Sequence, residues 1–110
     1  MAPLRDRRVL RLVRSEGHRG RSGPVMVRAT GPSPDGGCHV AFAIGRRTGT
    51  AVVRNRIRRR LRAALDDLAR DGGVPPVALL VTAGAPAATA PFPQLRSHLA
   101  RAIARATSRS

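Results

Sequence analysis

Apolar residues recur at helical spacing in the middle of this 110-residue chain. They fall at i, i+4, i+8, i+11 and i+15, which is one face of an α-helix: Val53, Ile57, Leu61, Ala64 and Leu68. The pattern predicts a helix from about Thr50 to Arg70. Thr48 or Thr50 is a suitable N-cap, and the sequence Asp71-Gly72-Gly73 with two prolines just beyond ends the helix.

Two flanking segments show shorter helical patterns. Residues 4–16 predict a short helix that ends at Gly17 and carries these apolar residues on one side: Val9, Leu10, Leu12 and Val13. Residues 92–107 predict a final amphipathic helix. Its apolar face holds Phe92, Leu95, Leu99, Ala102, Ile103 and Ala106.

Three further segments are typical of strands. Residues 24–29 (PVMVRA) and 38–44 (CHVAFAI) flank the turn sequence GPSPDGG, so we expect two antiparallel strands. Residues 77–82 (VALLVT) indicate a strand buried on both faces, and GHRGRSG is expected to be a basic loop. The order α-β-β-α-β-α predicts a two-layer α/β (α+β) sandwich with a small sheet. The length favours a single domain, residues 1–110, whose last few residues we expect to be flexible.

The predicted central helix is also strongly cationic. Eight arginines lie between Arg46 and Arg62 with no acidic residue among them, and the whole chain has a formal net charge of +15 without a lysine. Arg54, Arg58 and Arg62 form a stripe beside the apolar face. Like charges at this density repel one another unless a counter-charge binds. Nucleic acid is the expected partner, an anionic membrane surface is a weaker alternative, and a merely solvated helix face stays open.

The sequence has few residues suited to catalysis. Its histidines match no metal-ligand spacing, and its one cysteine cannot form an internal disulfide: His18, His39, His98 and Cys38. Asp66 and Asp67 are adjacent on a helix, where side chains diverge, so we expect them to pair with Arg59, Arg62 or Arg70. We predict no catalytic residue, no metal site and no small-molecule substrate. Without a signal-peptide pattern or an apolar run of about 20 residues, a cytoplasmic location is expected.

The most distinctive motif is Ala51-Val52-Val53-Arg54-Asn55-Arg56-Ile57-Arg58-Arg59, followed by Leu61-Arg62. It resembles the signature of the bacterial ribonuclease P protein component, and the similarity covers nearly the whole chain. The resemblance implies the small subunit of a ribonucleoprotein endonuclease that removes the 5′ leader of precursor tRNA. In that family the RNA subunit performs the hydrolysis with bound Mg²⁺, while the protein contacts the RNA and the leader and lowers the Mg²⁺ requirement. It also implies a left-handed βαβ crossover that contains the arginine-rich helix.

The resemblance further implies a set of RNA-binding residues. Together with Arg60 from the same cationic helix, the predicted set is Arg46, Arg47, Arg54, Asn55, Arg56, Arg58, Arg59, Arg60 and Arg62. The implied partners are the RNA subunit of ribonuclease P and precursor tRNA with its 5′ leader. No membrane partner is expected.

The family's leader-binding cleft usually carries aromatic residues on the first helix and the first strand. Aligned through Gly17, these positions are Leu10, Arg14 and Arg28 in this chain. We hypothesise that Arg14 and Arg28 bind the leader by guanidinium stacking and phosphate contact. The alternative, that both are ordinary surface arginines, has equal weight.

Three other functions stay open at this point. An architectural or ribosomal-type RNA-binding protein would share the charge but take no part in cleavage. A membrane-surface or partner-binding module would turn the apolar stripe of the central helix outward and leave the sheet uncovered. A free-standing nuclease would need clustered acids and histidines, and here these residues are scattered.

Overall fold

The computed structural model describes residues 1–33 and 35–108. The elements in chain order are β1 (Ala2–Pro3), α1 (Arg7–Glu16), β2 (His18–Ser22), β3 (Val25–Pro32), β4 (His39–Phe42), α2 (Ala51–Arg70), β5 (Val77–Ala83) and α3 (Phe92–Thr107). Short 3-10 helices occupy Arg46–Thr48 and Ala85–Ala88. Every predicted helix and strand is present, so the mixed α/β class is confirmed. Pro34 of the predicted turn and the last two residues, which we predicted to be flexible, lie outside the described residues.

The sheet is built around β5. Among the described residues it has five strands in the order β1-β4-β5-β3-β2. Strand β4 is parallel to β5 and β1 is parallel to β4, whereas β3 is antiparallel to both β5 and β2. The prediction that β3 and β4 are antiparallel is confirmed, because β3 is antiparallel and β4 is parallel to β5. They do not pair directly, since β5 lies between them in the centre of the sheet, where its apolar residues are buried on both faces.

The parallel neighbours β4 and β5 are joined by α2, which is the βαβ unit that the family resemblance implied. The left-handedness of this crossover stays a prediction. Strand β2 corrects a second expectation, because GHRGRSG was predicted as a loop. Its inward-facing residues are Gly20 and Ser22, and its arginines point outward, so the segment has no apolar alternation that could have revealed a strand.

The main core lies between one sheet face and the helices α2 and α3. Helix α2 contributes Ile57, Leu61, Ala64, Leu65 and Leu68, and α3 contributes Leu95, Leu99, Ala102, Ile103 and Ala106. The two helical stripes are thus largely as predicted, although Val53 is only half-buried and Phe92 is 37% exposed.

A smaller cluster lies on the opposite sheet face under α1, so the sandwich has a partial third layer. It consists of Leu4, Val13, Ala78 and Leu80, with Val9 and Leu10 packed at its margin. Leu12, predicted to face inward, is 44% exposed. Leu4 joins this cluster from outside the helix, because α1 begins at Arg7 after its N-cap Asp6.

Helix α2 begins and ends as its sequence predicts. The Thr50 hydroxyl accepts a hydrogen bond from the Val53 amide at 3.3 Å, so Thr50 is the N-cap. At the other end Gly72 has φ +73°, and the amides of Gly72 and Gly73 donate to the carbonyls of Ala69 and Leu68. This is a Schellman motif, which requires a left-handed residue that glycine adopts without strain.

Gly20 allows α3 to approach β2 closely. A Cβ atom at this position would lie 2.2 Å from the carbonyl oxygen of Ala102 and 2.4 Å from the amide nitrogen of Ala106. Both neighbours belong to a helix backbone that cannot move without disturbing the core. The side of the sheet that carries β2 therefore depends on the absence of a side chain.

We expect Gly20→Ala to lower the free energy of unfolding by about 3 kcal/mol, because it forces α3 away from the sheet. Gly31→Ala is the matched control, since nothing lies within 4 Å of a Cβ there. Urea unfolding followed by circular dichroism measures both. Equal stability of the two variants would contradict the close packing of β2 and α3.

Candidate nucleic-acid interface

The solvent-facing side of α2 carries a groove between its side chains. It is lined by Val52, Asn55, Arg58, Arg59 and Arg62. Arg58 donates from Nη1 to the Oδ1 atom of Asn55 at 3.0 Å, which leaves the Asn55 amide N–H groups directed elsewhere. Five of the predicted RNA-binding residues thus share one outward surface when the neighbouring, exposed Arg56 is included: Asn55, Arg56, Arg58, Arg59 and Arg62.

Of the predicted stripe of Arg54, Arg58 and Arg62, the last member lies next to β4. The guanidinium carbon of Arg62 lies 5.5 Å from the centre of the Phe42 ring, at the end of β4, within range of a cation–π contact. Arg54 is half-buried, and its Nε atom has no hydrogen-bond partner within the part of the chain that the structure describes. Arg62 therefore contacts the end of β4, whereas Arg58 donates to Asn55 on its own helix.

Arg46 and Arg47 precede this helix on the short 3-10 turn and are both exposed. The turn ends at Gly49, directly before the cap of α2. Its two arginines therefore extend the cationic surface from the N-terminal end of the helix toward the end of β4.

Arg60 does not join this surface, although it was included in the predicted set. Its guanidinium donates to the carbonyl oxygen of Ala87 at 2.7 Å and to that of Ala90. Both carbonyls belong to the segment between β5 and α3. Position 60 lies on the flank of α2 that faces this segment, and the half-buried side chain fastens the segment to the helix.

Arg96 makes a comparable attachment near the end of α2. It donates to Asp67 at 2.5 Å and to Asp71 at 2.5 Å, while Arg70 also donates to Asp67 at 3.0 Å. Hydrogen bonds from Arg70 and Arg96 lower the pKa of Asp67 below its ordinary value of 3.8. The predicted pairing of Asp67 with Arg70 is confirmed, and the link to α3 through Arg96 was missed because it spans 29 residues.

A second concavity lies on the other face of the sheet, beside α1. It is lined by Arg14, Met26, Arg28, Ala43, Leu80 and Thr82. Arg28 donates from Nη1 to the carbonyl oxygen of Arg14 at 2.5 Å, and Arg19 lies opposite Arg28 on the adjacent strand. The structure thus brings together Arg14 and Arg28 of the three predicted cleft residues, while Leu10 packs beside them against the small cluster.

Two of the three histidines singled out by the sequence have side-chain hydrogen-bond partners. His98 is hydrogen-bonded to the buried Ser22 at 2.8 Å, and His39 contacts Asp35 at 2.7 Å. Burial raises the pKa of the Cys38 thiol. Across residues 1–33 and 35–108, no three His, Cys, Asp or Glu side chains form a group that could hold a metal ion. Over the same ranges, no helix is long and apolar enough to cross a membrane.

The family model for ribonuclease P matches residues 2–107 of this chain. The chain belongs to the ribonuclease P protein family. It is 39% identical over 74 residues to the ribonuclease P protein component of Brucella suis, covering 67% of this chain and 50% of the relative. It is 38% identical over 84 residues to that of Acidothermus cellulolyticus, covering 76% and 68% of the two chains. The chain thus spans about half the length of the Brucella relative.

Solved structures of ribonuclease P proteins share the fold. The protein from Staphylococcus aureus superposes with a TM-score of 0.76 at 17% identity, covering 96% of this chain and 97% of the other. The protein from Thermotoga maritima gives a TM-score of 0.73 at 21% identity, with coverage of 88% and 90%. At these identities the likeness concerns the fold alone.

The depressed pKa of Asp67 gives a pH-dependent prediction for this ribonuclease P family member. Because the folded pKa lies below 3.8, the carboxylate stabilises the fold above that pH, and its contribution is lost as the pH falls through the folded pKa. Arg96→Gln should therefore lower the melting temperature most above about pH 5 and progressively less toward about pH 3. Thermal melts across this range, with Arg101→Gln as a charge-matched control on the exposed face of α3, measure the effect. If Arg96→Gln lowers the melting temperature by the same amount at every pH, the stabilising contact between Arg96 and Asp67 is contradicted.

Arg59 and Arg60 are sequence neighbours with opposite expected effects. Arg59→Met should reduce the slope of log affinity against log salt for a bacterial ribonuclease P RNA by about 0.7 to 0.9, which is one phosphate contact. Arg60→Met should leave that slope unchanged and lower the free energy of unfolding by about 1–3 kcal/mol, because two carbonyls lose a charged donor. Filter binding at several salt concentrations and chemical unfolding separate the two. If both variants reduce the salt slope equally, Arg60 also contacts the RNA.

Proposed function

We propose that this chain is the RNA-binding subunit of ribonuclease P, and that it assists the RNA subunit in removing the 5′ leader from precursor tRNA. The observation that carries the proposal is the cationic groove of α2. Asn55, Arg59 and Arg62 line it, and neither arginine forms an ion pair with a described residue. Family membership supports an RNA of the ribonuclease P type as the polyanion for this surface.

Arginine suits this contact because its planar guanidinium binds a phosphate through two hydrogen bonds and can also stack on a base. Each neutralised phosphate releases condensed counterion, so affinity falls as salt rises. A polycation between two RNAs also reduces their mutual repulsion, and so reduces the Mg²⁺ that they need. The Mg²⁺ ions of the reaction are assigned to the RNA subunit, since Asp67 and Asp71 are already engaged by Arg96.

The concavity beside α1 is proposed to receive the 5′ leader. Arg14 and Arg28 supply cations, while Met26 and Leu80 supply apolar surface. Neither an aromatic nor an acidic side chain is among its lining residues. Leader binding would therefore rest on phosphate contact and guanidinium stacking, which tolerate any base sequence.

The test is cleavage of a leader-bearing precursor tRNA by a bacterial ribonuclease P RNA at limiting Mg²⁺, with and without this protein. The wild-type protein should stimulate cleavage, and Arg56→Ala or Arg59→Ala should weaken the stimulation. Arg101→Ala, which removes an exposed cation from α3, should have no such effect. Tight binding to the RNA subunit without stimulation would instead indicate an architectural RNA-binding protein.

The leader contact is tested separately, by measuring the affinity of the holoenzyme for precursor tRNA and for mature tRNA. The double variant Arg14→Ala, Arg28→Ala should bind precursor tRNA about tenfold more weakly, a loss of about 1.4 kcal/mol, and mature tRNA as tightly as the wild type does. Equal affinities of variant and wild type for the precursor would show that both are ordinary surface arginines.

A further inference from the structure

Helix α1 carries a row of three arginines, of which the two surfaces above include Arg14 but not Arg7 or Arg11. Arg7, Arg11 and Arg14 lie at i, i+4 and i+7, within an arc of about 60° on the helix circumference at 100° per residue. Leu10, which is half-buried, lies about 40° beyond Arg14 around the helix. The row therefore follows one flank of α1 from its first turn to its last.

This flank of α1 borders, at Arg14, the concavity that is proposed to receive the leader, which is called the leader cleft below. Arg14 lines the cleft together with the sheet residues Leu80 and Ala43. The opposite flank, with Val9, borders a separate hollow near the start of the chain that Arg5 and Asp6 also line. Arg7 and Arg11 are not among the lining residues of the cleft, but they continue the same flank of α1 from Arg14 toward the start of the helix. Arg8 lies about 100° from Arg7 around the helix, toward the opposite flank.

The cations of this row are free to bind a polyanion. Arg7 and Arg11 are exposed, and neither forms an ion pair with a described residue. The nearest acid in sequence, Asp6, accepts hydrogen bonds from the amides of Arg8 and Val9 as the N-cap. Arg7 in the first turn also opposes the helix dipole, so helix stability does not explain its presence there.

We propose that Arg7 and Arg11 form a track that holds the stretch of single-stranded leader next to the nucleotides bound by Arg14 and Arg28. This inference rests on the proposed function and adds an extended leader segment to it. The cations of the row match phosphates, and the exposed part of Leu10 offers an apolar contact for a base or ribose. A single strand fits this arrangement because the row continues the wall of the cleft.

The length of the row sets how many nucleotides it can serve. Seven residues separate Arg7 from Arg14, which is about 10 Å at 1.5 Å per helical residue. A strand with a stacked rise of about 3.4 Å per nucleotide would place about three nucleotides along it. The affinity of the holoenzyme should therefore keep rising with leader length for about three nucleotides after the cleft is filled.

The experiment measures the affinity of the reconstituted holoenzyme for precursor tRNAs with unstructured leaders of about 1 to about 12 nucleotides, against mature tRNA. We expect the double variant Arg7→Gln, Arg11→Gln to lose only the gain from the longer leaders, roughly fivefold. For those leaders the salt slope should fall by about 1.4, which is two single-strand phosphate contacts. The double variant Arg5→Gln, Arg8→Gln removes the same charge from the other flank and should behave as the wild type does.

The outcomes separate this inference from the proposed function. If affinity rises with leader length and the two double variants behave alike, the effect is one of net charge and the track is refuted. If wild-type affinity does not depend on the leader at all, the leader contact itself fails, and the track fails with it. Both double variants should melt at the wild-type temperature, because all four arginines are exposed, and thermal melts check that neither effect comes from unfolding.

Discussion

The packing of α2 against α3 and one face of the sheet forms the main core and decides where the cationic side chains lie. A chain with a net charge of +15 can only fold if its cations face water or a partner. Helix α2 achieves this by turning Ile57, Leu61 and Leu65, all fully buried, toward the sheet. The same rotation of the helix fixes where each arginine points, because residues on one helix cannot change faces independently.

Three groups of arginines in this chain have different structural roles. Those on the outward side of α2, such as Arg59, face solvent and define the cationic surface. Others stabilise the fold by donating to backbone carbonyls at element ends, as Arg60 does at Ala87 and Arg105 does at Arg21. Arg96 instead joins two helices through carboxylates. Composition alone counts each of these as one positive charge, although the second and third groups are already engaged within the protein.

The two cationic surfaces lie on opposite faces of the sheet but are connected through the chain. Ala43 lines the cleft beside α1, and three residues later Arg46 begins the basic turn that leads into α2. A protein of this shape can contact two RNA segments at once and reduce the repulsion between them. In the proposed ribonuclease P complex, those segments are the RNA subunit and the leader of its substrate.

The local features of this protein could be predicted from its sequence. Helical spacing gave the bounds of α2 and α3, the Thr50 cap and Gly72 gave the ends of α2, and the Arg-Asn-Arg motif led to the family. Each of these depends on residues that are close along the chain. Long-range packing places β5 between β3 and β4 and makes β2 a strand. It also brings Arg60 to the segment between β5 and α3, and Arg96 to the end of α2. These features depend on contacts between residues far apart in the chain, whose partners no local pattern identifies.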